Sequence, residues 1–97
     1  KKIAALAQAH ATQCVPHVWG TAIGLAASLH FIASLPDCPP ALVPVPPLLE
    51  FEQTPNPMRD ALATVPIVHR DGWVDVPTGP GLGIEIDRRI LEQYRVA

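Results

Sequence analysis

The chain has 97 residues and a mass of 10.4 kDa, so it holds one small domain at most. Hydrophobic residues make up 48 % of it and charged residues only 16 %, against about a quarter in ordinary domains, which predicts a piece that more protein covers. The formal net charge of −2 disfavours nucleic-acid binding, and no apolar run is long enough to cross a bilayer.

The first predicted elements are a helix and a short strand. Apolar residues recur at helical spacing and predict a helix over residues 2–12, with Ile3, Leu6, Ala7 and His10 on one face. The β-branched segment 14–18 predicts a strand, and Pro16 places it at an edge or at the strand's end.

A second helix is predicted from Thr21, which can cap it, to about Leu35, because Pro36 stops it there. Apolar side chains surround it almost completely, so we expect it to be covered on more than one side. Residues 37–47 are rich in proline and therefore form a connection that is neither a helix nor a central strand. Residues 48–52 predict a second strand.

The last part of the chain is predicted to contain turns and one helix. A helical turn is predicted over 58–62, and Asp71-Gly72 between two β-prone runs is a strong hairpin signal. The glycines of 79–83 lack the spacing and the lysine of a phosphate loop, which favours a turn with special backbone angles. Asp87 can cap a helix over 88–94, with an inner face of Ile90, Leu91 and Tyr94.

The order helix, strand, helix, strand predicts a parallel α/β unit. His17 ends the first predicted strand and Glu50 ends the second, and the separation of 33 residues from one to the other suits an ordinary βαβ crossover. A single unit of this kind cannot cover both faces of its sheet. We therefore predict that the segment belongs to a larger α/β fold.

His17 and Glu50 are the candidates for chemistry. Neighbouring parallel strands bring the residues at their ends to one edge of the sheet, where α/β barrels hold their active sites. An imidazole can take or give a proton near neutral pH, and a protonated carboxyl group can donate a hydrogen bond to an oxyanion. The alternatives for the pair are a strand-end histidine with a structural partner and an ion-paired carboxylate.

The two cysteines, Cys14 and Cys38, form neither a C-x-x-C pair nor a zinc-finger spacing. Two free thiols are typical of a reducing compartment, so we expect a cytoplasmic protein. None of the sequence patterns in this chain predicts a metal site within it.

Three segments together resemble the enolase superfamily, of the mandelate racemase and muconate lactonizing enzyme type. Residues 15–30, which contain P-H-V-W-G-T, resemble the seventh-strand region of that family. Residues 49–59, E-F-E-Q-T-P-N-P-M-R from Glu50 on, resemble its eighth strand and the loop that follows. Residues 71–87 resemble the C-terminal return into its capping domain. Within the family, the sugar-acid enzymes are most similar, the galactarolactone cycloisomerases first and the acid-sugar dehydratases close behind.

The resemblance implies a C-terminal fragment of a TIM-like (β/α)7β barrel. Residues 1–62 would supply the last two strands and helices of the barrel. Residues 63–97 would form the C-terminal hairpin and helix of the α+β capping domain. The expected partners are the rest of the barrel, the capping domain and further copies in a homo-oligomer.

The resemblance also implies a reaction and roles for residues. His17 takes the position of the family's strand-seven general acid/base, and Glu50 that of the glutamate that hydrogen-bonds the developing enediolate. Trp19, Phe51 and Glu52 are expected to contact a sugar-acid or lactone substrate. The family's Mg²⁺ stabilises the enediolate, but the resemblance places its ligands outside this segment, so the segment alone is expected to be inactive.

The reaction type stays open among three possibilities, lactone cycloisomerisation, dehydration and racemisation, because all three share the removal of a proton α to a carboxylate. The expected enzyme is therefore an isomerase or a lyase. A non-catalytic interaction module is the alternative. It would use the proline-rich stretch 39–47 or an exposed apolar face.

Overall fold

The computed structural model of the chain describes residues 1–96, so the predicted capping segment, 63–97, reaches one residue beyond the described range. The predicted helices and the first two strands occur in the predicted order, but most of them are shorter than predicted. They are α1 (Lys2–Ala9), β1 (His17–Val18), α2 (Ala22–Ala33), β2 (Glu50–Phe51), α3 (Pro57–Asp60) and α4 (Arg88–Gln93).

The two strands form a parallel pair, as predicted for a βαβ unit. His17 lies opposite Glu50 and Val18 lies opposite Phe51. The backbone N–H of Glu50 donates to the carbonyl oxygen of Pro16 at 3.0 Å. The strand therefore starts after Pro16, whose ring removes a donor but leaves this acceptor.

Helix α2 is the central element and covers one face of the strand pair. The Thr21 hydroxyl caps it by accepting from the backbone N–H of Gly24 at 3.4 Å. One stripe of the helix is buried, and its members are Ala22, Leu25, Ala26, Leu29 and Ile32. Ile23 is 42 % exposed on another side, so within residues 1–96 the helix is covered mainly along this stripe, and the expected second covering is absent.

Two apolar clusters join the chain's halves around α2. The first contains Val18, Leu25 and Leu29, with five partly buried neighbours, Leu49, Phe51, Ile67, Val74 and Val76. The second contains Ala22, Leu62 and Ala63, and the side chains packed against it are Met58, Ile84, Ile86 and Ile90. Both clusters draw on residues before and after position 62. The division at that position stays a prediction.

The apolar face of α1 is largely exposed in the described chain. Ile3 is 81 % exposed and Leu6 is 63 % exposed, whereas Ala4 is buried. Helical periodicity identifies an apolar stripe but not the neighbour that covers it. The face of α1 that carries the small side chain of Ala4 packs against the rest of the chain. Residues 1–96 provide no surface that covers Ile3 and Leu6.

Helix α4 begins as predicted but buries less than predicted. The Asp87 carboxylate caps it by accepting from the backbone N–H of Arg89 at 2.9 Å. Ile90 packs into the second cluster, whereas Leu91 and Tyr94 are 42 % and 44 % exposed. The helix ends at Gln93, one residue before Tyr94, so the predicted inner face holds only at its first position.

The two predicted turns are confirmed. Asp71 and Gly72 both have positive φ, 51° and 83°, as a two-residue hairpin loop requires. Arg70 and Trp73 exchange backbone hydrogen bonds of 2.8 and 2.9 Å around them, although the predicted strands reduce to this single bridge. In the glycine-rich loop, the N–H of Gly83 closes a turn onto the Pro80 carbonyl at 3.0 Å.

Among the helices of residues 1–96, none combines the length and the apolar character that crossing a membrane requires.

Candidate active site

His17 and Glu50 lie side by side on one face of the strand pair. They are register partners on β1 and β2, and alternate residues of a strand point to opposite faces. The next residues on each strand, Val18 and Phe51, pack into the cluster on α2. His17 and Glu50 therefore project from the face that α2 does not cover, and the predicted juxtaposition is present in the structure.

Glu52 joins this pair from two residues further along the chain. Its Oε2 lies 3.9 Å from Nε2 of His17, and its side chain is 21 % exposed against 57 % for His17. The backbone N–H of Thr54 donates to Oε1 of Glu52 at 2.8 Å. The pKa of Glu52 is lowered, first by this backbone hydrogen bond and then by Thr54's side chain, with a smaller contribution from the charge of His17. Glu52 is therefore a carboxylate beside the imidazole at neutral pH.

The two further predicted substrate contacts lie in different environments. Trp19 follows β1 directly and its side chain is 69 % exposed. Phe51 is partly buried on the α2 face, and its ring meets that of His69 edge-on, with centroids 5.7 Å apart. The structure therefore does not bring Phe51 to the face that carries His17 and Glu50, because strand alternation turns it the other way.

A polar network holds the segment that follows β2. The side chain of Asn56 caps α3 by accepting from the backbone N–H groups of Met58 and Arg59, at 3.1 and 3.3 Å. Its Nδ2 donates to the carbonyl of Gly20 at 3.2 Å. This bond ties the loop after β2 to the loop after β1, so the two residues that precede these loops, His17 and Glu50, are held in one frame.

Arg59 is a charged residue for which the sequence predicted no role. Only 7 % of its surface is exposed, and no other charged side chain among residues 1–96 is buried. Its Nη2 donates to the carbonyl of Thr54 at 2.7 Å, and its Nε donates to Oδ1 of Asp60 at 2.9 Å. The sequence could have predicted its place in the fold, because Asn56 as a cap and Pro57 after it mark the start of a helix and put Arg59 in the first turn.

The described residues do not form a metal site. Nowhere in residues 1–96 do three or more His, Cys, Asp or Glu side chains meet closely enough to hold an ion. His17, Glu50 and Glu52 do not form such a group within that range. Cys14 and Cys38 are both free.

Comparison with known proteins identifies a matching family and similar relatives. The profile of a family described as "Enolase C-terminal domain-like" matches residues 1–90. The chain is 45 % identical over 96 residues to the D-galactarolactone cycloisomerase of Agrobacterium fabrum (strain C58), which covers 99 % of this chain and 25 % of that enzyme.

A solved structure is similar as well. It is that of the 3,6-anhydro-D-galactonate cycloisomerase from Zobellia galactanivorans, with a TM-score of 0.73 and 39 % identity. The match covers 96 % of this chain and 24 % of that one. The chain thus spans about a quarter of the length of both relatives.

Proposed function

Because this chain belongs to the Enolase C-terminal domain-like family, as its resemblance to the enolase superfamily predicted, we propose that it is the C-terminal segment of a sugar-acid cycloisomerase. The observation that carries the proposal is the pairing of His17 with Glu50 on adjacent parallel strands, on the face that α2 leaves open. The names of both relatives, each a cycloisomerase of a galactose-derived acid or lactone, support the substrate class.

The proposed first step removes the proton α to a carboxylate. The C–H bond breaks, a basic group takes the proton, and the electron pair moves onto the substrate's carboxylate oxygens. His17 is the general acid/base that exchanges this proton with the substrate. Glu50 hydrogen-bonds the oxygen that gains charge, as the resemblance implies for its position. Dehydration and racemisation, the other outcomes of this step, fit the same two residues.

The Mg²⁺ that the resemblance implies does not fit the residues present, since no donor set for it exists within residues 1–96. We assign its ligands to the rest of the protein, and the roles given to His17 and Glu50 do not depend on its geometry. Without those ligands, this segment alone is expected to be inactive.

The remaining assignments follow from the same proposal. Residues 1–62 would complete the barrel and residues 63–97 would return into the capping domain, in an oligomer of identical subunits. The two free thiols favour the reducing cytoplasm. Trp19 and Glu52 are retained as substrate contacts, whereas Phe51 would support the site from the opposite face of β2.

The proposal is tested by His17→Asn in the complete protein that carries this segment. Asparagine keeps a polar side chain of similar size but cannot exchange the proton, so turnover of D-galactarolactone should fall about 10²- to 10⁴-fold. Deuterium incorporation from D₂O into that lactone and into 3,6-anhydro-D-galactonate, followed by NMR, reports the first step directly.

The matched control is His10→Asn, since His10 is exposed beyond the end of α1 and belongs to no part of the site. It should leave both rates unchanged, and circular dichroism should show the same fold for both variants. Unchanged turnover and exchange in His17→Asn would remove His17 from the mechanism.

A further inference from the structure

The burial of Arg59 requires a reason. A guanidinium remains charged at any ordinary pH, and taking a charge out of water is unfavourable unless its hydrogen bonds are satisfied. With 7 % of its surface exposed, Arg59 is largely withdrawn from solvent. One of its nitrogens, Nη1, has no hydrogen-bond partner among the described residues. The bonds of the other two nitrogens must therefore matter to the structure around them.

Those two bonds use the fork of the guanidinium. Nη2 donates to the carbonyl of Thr54 at 2.7 Å, while Nε donates to Oδ1 of Asp60 at 2.9 Å. The other oxygen of Asp60, Oδ2, accepts from the backbone N–H of Asn56 at 3.0 Å. Arg59 thus fixes the backbone between Thr54 and Asn56 from both sides, with a planar group that lysine cannot reproduce.

Thr54 connects this fixed backbone to the site. Its carbonyl accepts from Arg59, and its own N–H donates to Oε1 of Glu52 at 2.8 Å. The second oxygen of Glu52 lies 3.9 Å from Nε2 of His17. A continuous path of polar contacts therefore runs from the buried guanidinium, through one residue of backbone, to the imidazole.

We propose that Arg59 is a positioning residue that, by holding the Thr54 carbonyl, aims the Glu52 carboxylate at His17. The proposal deepens the proposed function and rests on it for the consequence to catalysis. Arg59 touches no reacting atom, and Glu52 is the group through which it acts. The requirement is geometric, so a positive charge alone does not replace the forked guanidinium.

The test replaces Arg59 in the complete protein with methionine, which keeps the length of the side chain but has no donor. With Glu52 no longer aimed at His17, kcat on D-galactarolactone should fall about 10- to 100-fold, and KM should rise as well because Glu52 is also proposed as a substrate contact. Arg59→Lys keeps the charge but cannot bond Thr54 and Asp60 together, so its kcat should lie between those of Arg59→Met and the wild type.

A second measurement reads Glu52 itself. In protein labelled with ¹³C-glutamate, the carboxyl signal of Glu52 is identified by its loss in Glu52→Gln, and its titration is followed by NMR. In Arg59→Met the backbone of Thr54 is no longer held, so its N–H no longer stabilises the Glu52 carboxylate. The pKa of Glu52 should then rise toward its ordinary value. A purely structural role of Arg59, which would lower the melting temperature, would leave this titration in place well below that temperature.

The matched control is Arg89→Met. Arg89 also bonds a carboxylate through Nε and Nη2, at 3.2 and 2.9 Å from Asp87, but its side chain is exposed on α4. It should change neither kcat nor the Glu52 titration. The proposal is overturned if Arg59→Met, or Arg59→Lys where the methionine variant does not fold, keeps the wild-type kcat or the wild-type titration of Glu52.

The two proposals fail separately. A wild-type protein that exchanges no α-proton of either sugar acid would overturn the proposed function. The titration of Glu52 needs no turnover, so it would still decide whether Arg59 positions that carboxylate.

Discussion

Glu52 illustrates how one backbone contact sets the behaviour of a side chain. Because the N–H of Thr54 stabilises its charged form, the pKa of Glu52 lies below its ordinary value. A depressed carboxyl pKa contributes stability that is present above the unfolded-state pKa and is lost as the pH falls through the folded-state value. At neutral pH Glu52 is therefore both ionised and held in place, and acid weakens this contact.

Glu50 and His17 should respond differently to substitution, because their proposed roles differ. In Glu50→Gln, the amide still donates a hydrogen bond to the substrate's carboxylate, so the loss of turnover should be smaller than in His17→Asn. Steady-state kinetics on D-galactarolactone with both variants measure the order of the two losses. A larger loss for Glu50→Gln would give Glu50 a different role, such as proton transfer.

The turn at Gly83 is the element in which glycine itself is required. Gly83 has φ of 72°, and a Cβ there would lie 2.6 Å from Cβ of Pro77 and 2.7 Å from its carbonyl carbon. Gly81 also has positive φ, 66°, but a Cβ there would meet nothing within 4 Å. A side chain at position 83 would therefore clash with Pro77, whereas a side chain at position 81 would only strain the backbone.

Gly83→Ala should therefore destabilise the complete protein more than Gly81→Ala. We expect a loss of about 2–4 kcal/mol at Gly83, from backbone strain together with the clash, and of about 1 kcal/mol at Gly81, from strain alone. Urea denaturation of both variants measures the difference in the free energy of unfolding. Equal losses would show that Pro77 moves aside without cost.

Elements with strong local signals were predictable from the sequence. Thr21 and Pro36 bracket α2, and the Asp71-Gly72 dipeptide formed the expected turn. The parallel register of His17 and Glu50 followed from the order of the elements. Local patterns carry this information because caps and turns are decided within a few residues.

What depended on distant neighbours was not predictable. The stripe of α1 with Ile3 and Leu6 had the right periodicity but is exposed, because periodicity does not specify a covering partner. The burial of Arg59 was not predicted, because arginine is rarely buried unless it is paired. One of its partners is the backbone carbonyl of Thr54, and no pattern of side chains in the sequence reveals such a partner. The face that Phe51 occupies is different, because strand alternation beside Glu50 is a local pattern that the resemblance-based assignment did not use.

The whole molecule is more open than a free domain of its length. Its radius of gyration is 15.1 Å, whereas about 13 Å is expected for a compact domain of 100 residues. Large apolar side chains that are at least two-thirds exposed include Ile3, Trp19, Leu42, Val43, Val65, Trp73 and Val96. Such a surface fits a segment that the remainder of a larger fold covers.

The chain expressed alone should therefore self-associate through its uncovered apolar surface. Sedimentation velocity at increasing concentration should show oligomers or aggregates, while the complete protein keeps one defined size. A monomer with a cooperative melt would contradict this expectation. It would favour the interaction module, built on the proline-rich stretch 39–47 or on an apolar face.

Because the side chain of Asn56 bonds the carbonyl of Gly20, the lengths of the loops after β1 and β2 depend on each other. An insertion after either strand would displace the shared contact and misplace His17 and Glu50 together. The crossover through residues 39–47 is exposed throughout and lies outside this frame, and lengthening a flexible loop costs only a fraction of a kcal/mol per doubling, about 0.6. Changes of length over the course of evolution should therefore be absorbed in the crossover and excluded from the two loops that flank the site.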